Sequence, residues 1–209
     1  MMPEHRIKYL PAILMIFLIF PLQAQKKGYY PGYIITLEGD TLTGQVKDRS
    51  NGMFTELYSR IRFKGESSLF RNKYSPEQIL EYSCGGQLFE SVPLREESAY
   101  FKFRYIVDES NEKVFLKLVS RCEGLSYYHW EYIDGDNGYV DFVPLFHRNG
   151  FDQMIRASQG VLGLKRKLLI AYFQDCQQLV SAIERKKLKH VNDVYDYYVG
   201  HCVNTAVPE

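Results

Sequence analysis

The chain is 209 residues long and carries 26 Lys and Arg against 25 Asp and Glu, a formal net charge of +1. That balance argues against a general nucleic-acid binder, which needs a basic excess to engage phosphates, and against an acidic disordered tail. Its 17 Tyr and 13 Phe against a single Trp suit a chain rich in strands, where aromatic side chains pack well, and its length suffices for one domain with a proper core.

Residues 1–24 read as a secretory signal peptide. His5, Arg6 and Lys8 give a positive start, and an apolar run follows from Tyr9 to Leu22, interrupted only by Pro11 and Pro21. Leu22-Gln23-Ala24 ends it on a small residue suited to signal peptidase. The run is shorter than the about 20 apolar residues of a membrane-spanning helix, so an uncleaved anchor is the weaker reading. Gln25 follows the expected cut, and with no cysteine at the junction lipid attachment is not indicated. No later stretch is long and apolar enough for a helical span, so none is expected after cleavage. Losing Glu4, Arg6 and Lys8 leaves the two charge signs equal. The expected address is periplasmic, outer-membrane-associated or secreted.

From Tyr29 to about Phe146 the pattern is that of strands. Tyr33–Leu37 and Thr41–Val46 flank the turn Glu38-Gly39-Asp40. Ile79–Cys84 and Gln87–Val92 are separated by Gly85-Gly86, a strong signal for a two-residue hairpin loop. Phe101, Phe103, Tyr105 and Val107 alternate with Lys102, Arg104 and Ile106 at a period of two. Val114–Val119, Leu125–Ile133 and Tyr139–Phe146 complete a set of roughly eight to ten strands.

After Gly150 the period changes. Leu168, Leu169, Tyr172, Phe173, Cys176, Leu179, Val180 and Ile183 recur at spacings of three and four, the apolar stripe of an amphipathic helix. Asp175 with Gln178 has capping-box chemistry and predicts a fresh helix start there. A further helix is predicted over Val191–Val199, ended by Gly200. The expected fold class is α+β, with a β-rich antiparallel body over 25–150 and a short C-terminal helical segment over 151–209 packed on it.

The segment from Gly32 to Lys47, with Gly39-Asp40-Thr41 at its turn and Gly44 beyond, resembles the opening of a broad group of uncharacterised secreted or cell-envelope proteins of Bacteroidetes. In that group a signal peptide precedes a Gly-Asp-Thr hairpin, and a helical stretch near Tyr-Phe-x-Asp-Cys comes later, matched here by Tyr172-Phe173-Gln174-Asp175-Cys176. The matching motifs are structural. The resemblance implies an envelope address and a β-rich architecture, and it implies no activity.

Four cysteines, Cys84, Cys122, Cys176 and Cys202, invite disulfides in an exported chain, with three pairings open. If a loop near Arg185–Lys189 turns the chain back, the helices on either side run antiparallel and the start of the first, at Cys176, faces the end of the second, at Cys202. That pair is the expected staple. Cys84 and Cys122 read as buried thiols, with a second disulfide as the alternative. No Cys-x-x-Cys spacing supports a redox pair.

Other chemistry is sparse. Asp134-Gly135-Asp136-Asn137-Gly138 lacks the ligand and glycine positions of a calcium loop and reads as a turn. His129, His147, His190 and His201 are scattered without zinc-site spacing. Glu96-Glu97 reads as a solvated corner rather than a glycosidase pair. Lys165-Arg166-Lys167 and Arg185-Lys186-Lys187 read as solvated helix flanks, with an anionic surface partner as the minority reading. Tyr128, Trp130 and Tyr132 share one strand face and are the candidate ligand-binding aromatics, although such rows more often pack within a sheet.

No catalytic residue, cofactor or metal site is expected. The leading functional expectation is a non-enzymatic envelope domain that binds an unknown envelope protein or supports an assembly. The alternative is a glycan- or peptide-binding module built on the Trp130 strand. A hydrolase with an unrecognised site comes third.

Overall fold

The computed structural model describes residues 28–49, 59–66, 70–99, 102–133 and 139–203. The expected leader and the acidic turn at 134–138 lie outside those residues.

Eleven strands are described, and all pair antiparallel. In chain order they are β1 (Tyr30–Thr36), β2 (Thr41–Lys47), β3 (Ile61–Gly65), β4 (Asn72–Tyr74), β5 (Ile79–Cys84), β6 (Gln87–Ala99), β7 (Lys102–Val107), β8 (Lys113–Cys122), β9 (Leu125–Ile133), β10 (Val140–Arg148) and β11 (Gln153–Arg156). Three short helices follow, α1 (Arg166–Tyr172), α2 (Gln177–Glu184) and α3 (Val191–His201). The architecture is α+β, with β11 continuing the sheet past residue 150.

The strand order is β4-β3-β2-β1-β5-β6-β7-β11-β10-β9-β8, and β8 also pairs with β6. Six strands, β6 to β8 by way of β7, β11, β10 and β9, therefore close into a barrel. Strand β6 makes the closure by using both edges. Successive residues of a strand direct their backbone polar groups to opposite edges. The Asp108 amide donates to the Pro93 carbonyl on the β7 side, while the Leu94 amide donates to the Glu112 carbonyl beside β8. Strand β5 shares the β7 edge, pairing with Gln87–Glu90 before β7 takes over at Leu94. The nitrogen of Pro93, which has no hydrogen to donate, falls at the changeover between those two ladders, so β6 runs straight through a proline.

The Gly85-Gly86 turn joins β5 to β6, with φ of 58° and 80° at its two residues, a pairing that only glycine adopts at little cost. Gly32 and Gly44 face each other across β1 and β2. A Cβ at Gly32 would stand 1.9 Å from the Ser83 carbonyl oxygen, and one at Gly44 would stand 2.2 Å from that of Lys64. Both glycines of the opening hairpin are thus required by neighbouring backbones that approach closely.

Three cores result from alternation along the strands. The barrel interior holds Val92, Leu94, Tyr105, Leu116, Tyr128, Val143, Leu145 and Met154, so it is filled by side chains. Between the outer strands β1–β5 and the outer face of the barrel lie Ile34, Val46, Ile61, Phe63, Ile79, Tyr82, Phe89 and Phe115. Tyr82 stacks on Phe89 at 4.6 Å between ring centroids and meets Phe115 edge-on at 4.8 Å. The helices cover the barrel beside β9, β10 and β11, where Leu125, Tyr127, Phe146 and Ile155 meet Leu169, Phe173, Leu179, Ile183, Val194 and Tyr198.

Two helical expectations need correction. The stripe from Leu168 to Ile183 divides into α1 and α2, as the fresh start expected near Asp175 implies, but Asp175 does not cap α2. Its carboxylate instead takes both guanidinium nitrogens of Arg148, so Cys176 becomes the cap residue, with no side-chain capping bond. Gly200 does not end α3, which continues through it to His201. At the other end of α3, the Asp193 carboxylate accepts from the backbone amides of Lys189 and His190, satisfying donors that the helix leaves open.

Candidate functional site

Strand β2 ends at Lys47, and the next two residues, Asp48 and Arg49, turn inward over the outer core. The Arg49 guanidinium lies 5.0 Å above the Phe89 ring and its side chain is only 6% exposed. It donates to the Asp48 carboxylate (3.3 Å), the Phe115 carbonyl (3.3 Å) and, most closely, the Glu131 carboxylate (2.6 Å). The buried Tyr82 hydroxyl donates to the same Asp48 oxygen, and Lys117 approaches Glu131 from the far side at 3.9 Å. Burial alone would lower the Arg49 pKa, but Tyr82, Asp48 and Glu131 outweigh it and hold the cation charged. Burial raises the Tyr82 phenol well above its ordinary value.

This ionic cluster forms one wall of an open groove of about 490 Å³ at the barrel rim. Val114, Phe115, Trp130 and Tyr132 supply apolar surface, while Arg49, Glu131, Glu112 and Lys113 supply charge. Groups of both kinds converging on a concave surface are what a small ligand or chain segment requires.

The three candidate aromatics of β9 do not act as one row. Tyr128 is buried inside the barrel, where it donates to Glu90 (2.6 Å) and accepts from Arg121 (2.7 Å). Burial, helped by Glu90, pushes its pKa up to about 12. Trp130 is half-buried, with its ring edge-on to Tyr105 at 5.8 Å, and reaches the groove from the barrel side. Tyr132, 40% exposed, is the outer end of the row, and its hydroxyl donates to Asp141 at 2.9 Å. Period-two spacing placed the three on one face but could not say that this face is the barrel's inside. Arg49 and Glu131 were missed in the sequence, because two isolated charged residues 82 positions apart carry no motif.

His129 sits on the other face of β9, its ring stacked on Phe142 at 3.7 Å and its Nε2 2.9 Å from the Tyr127 hydroxyl. Burial, reinforced by the Lys117 charge paired beside it, lowers its pKa to about 4. The folded state therefore resists a proton that the unfolded chain accepts near pH 6.5. The associated stability is complete above pH 6.5 and is lost as pH falls toward 4. Because the ring is only half-buried, a loss of about 1–2 kcal/mol is expected across that window. Urea unfolding at pH 7 and pH 4.5 checks it: His129→Gln should flatten the slope, and an unchanged slope would refute the assignment.

Cys176 and Cys202 form a disulfide, with Cα atoms 5.8 Å apart. Cys84 and Cys122 remain thiols. The Cys84 thiol donates to the Val46 carbonyl at 3.5 Å, and burial raises its pKa to about 11, so it is unreactive at neutral pH. Among the described residues, no group of three or more His, Cys, Asp or Glu could hold a metal ion, and no helix is long and apolar enough to cross a membrane. Glu97 pairs with Arg95 within β6.

The fold and groove define a side-chain-filled six-stranded barrel carrying a lateral sheet and a disulfide-bridged helical cover. Comparison with protein-family models, curated proteins and solved structures returned no match.

Proposed function

We propose that this is an exported, non-enzymatic binding domain of the cell envelope, and that it takes its ligand in the rim groove beside Trp130. One observation carries the reading: the half-buried Trp130 and exposed Tyr132 rings share a concave surface with the buried, fixed charges of Arg49 and Glu131. A wall whose charges are already oriented costs little further ordering when a ligand arrives. The Cys176–Cys202 bridge fits an oxidising compartment, in keeping with export.

Glycan fragments are the second reading, favoured by the aromatic surface that Trp130 and Tyr132 bring to the groove. Trp130 is the only tryptophan, so its emission reports on the groove without interference. Titration with cell-wall fragments, polysaccharides and extended peptides is expected to shift or quench that emission for one class. Tyr132→Ala should then weaken binding about tenfold, the scale of one good aromatic contact. Emission indifferent to every fragment, together with no partner retained from envelope fractions, would remove the reading.

A further inference from the structure

A different surface, independent of the groove, carries a second binding role. The chain from Ala157 to Lys165 folds into a small hairpin. The Lys165 amide donates to the Ala157 carbonyl (3.0 Å), Ser158 bridges Leu164, and the Gln159 amide donates to the Gly163 carbonyl (2.8 Å). A single 3₁₀ turn, Gly160–Leu162, forms the tip. Val161 is fully exposed and Leu162 is 74% exposed. Hairpin tips are ordinarily polar, so two adjacent aliphatic side chains held out by a bonded ladder form a built projection rather than a stray surface residue.

The surroundings of the tip are cationic. Between Asp152 and Asp175 the chain has no acidic residue but has Arg156, Lys165, Arg166 and Lys167. Arg166 Nη2 donates to the Leu188 carbonyl at 3.4 Å, which brings the α2–α3 loop against the start of α1. That loop carries Arg185, Lys186, Lys187 and Lys189, all exposed. That contact brings together two basic tracts 20 residues apart in sequence, Lys165–Lys167 and Arg185–Lys187. The nearest acids on those elements are Glu184 and Asp193, and Asp193 is occupied by the backbone amides of Lys189 and His190.

We propose that the Val161-Leu162 tip inserts into an anionic lipid surface while Lys165, Lys167, Lys186 and Lys187 contact its headgroups. A convex aliphatic pair with a cationic collar matches a leaflet, whose apolar depth begins just beneath its negative charge. A nucleic acid would match the collar and leave the tip unburied. An acidic protein would need a pocket for the tip, and a chain that binds neither vesicle in the test below would point to such a partner instead.

The test uses the full chain with phosphatidylcholine vesicles, either pure or containing phosphatidylglycerol. Because the apolar run Tyr9–Leu22 can itself bind lipid, the readout must be local to the tip. Leu162→Trp in a Trp130→Phe background supplies one fluorophore there. Its emission is expected to shift to the blue with phosphatidylglycerol vesicles and not with pure phosphatidylcholine. In the natural background, Val161→Asp with Leu162→Asp should lower partitioning at least tenfold. Lys167→Glu with Lys186→Glu and Lys187→Glu should do the same, since each cation near such a surface multiplies affinity about fivefold. All six positions are solvent-facing or half-exposed, and circular dichroism checks that the variants keep the native fold. No blue shift, equal partitioning by the tip variants, or equal affinity for both vesicle types would each overturn the proposal.

Discussion

Replacing Cys176 and Cys202 together by Ala is expected to lower the unfolding free energy by about 3.5 kcal/mol, as computed from the loop-entropy relation for a bridge between residues 26 apart. The bridge ties the residue before α2 to the residue after α3, so the closed loop holds both helices. Those helices are 8 and 11 residues long, below the about 12–15 residues needed for a helix to persist alone. Their apolar faces, Leu179, Ala182 and Ile183 on α2 with Val194, Tyr195 and Tyr198 on α3, reach the core only if the turn between them holds. Denaturant unfolding of the natural chain with and without reductant should reproduce the difference seen in the variant. A change below about 1 kcal/mol would mean that packing alone secures the pair.

The second large effect is expected at Glu131. Glu131→Leu removes the closest partner of Arg49 and leaves a guanidinium, 6% exposed, short of one of its two carboxylate counter-charges. Removing one partner of a buried pair costs about 3–5 kcal/mol, whereas removing both is close to neutral. Arg49→Met combined with Glu131→Leu is therefore expected to recover most of the loss. Asp48 contributes little to the balance in that double variant, since its carboxylate is 36% exposed and keeps the Tyr82 hydroxyl. Equilibrium unfolding of the two single variants and the double variant gives the coupling directly. A double variant as unstable as Glu131→Leu would show that the groove wall is held by something other than this pair.

Local chemistry made part of this fold legible. The Gly85-Gly86 turn, the alternation in β7 and β9 and the three-four spacing of the helical segment each arise from neighbours within a few residues. The Cys176–Cys202 pairing was legible because it needs only two short helices and the rise per residue. What stayed hidden depends on distant partners. Closure of the barrel through β6 and β8 has no local signature, since Leu88 meets Leu118 only after the intervening chain has folded. Strands β4 and β11, of three and four residues, are too short to show a period. The cap expected at Asp175 failed because Arg148, 27 residues upstream, claims the carboxylate. The aromatic row at Tyr128, Trp130 and Tyr132 was read correctly as one face, but its division between the barrel core and the groove depends on a closure that those residues do not encode.

Strand β6 gives the molecule its mechanical character. Over Leu88–Glu90 it is bonded to β5 on one edge and to β8 on the other, and its 13 residues then carry on into the β7 ladder. Two cores on opposite faces of one strand cannot be melted one at a time, because loosening either frees the backbone that orders the other. The lateral sheet and the barrel thus share a spine, and a cut that separates them leaves both with an open edge.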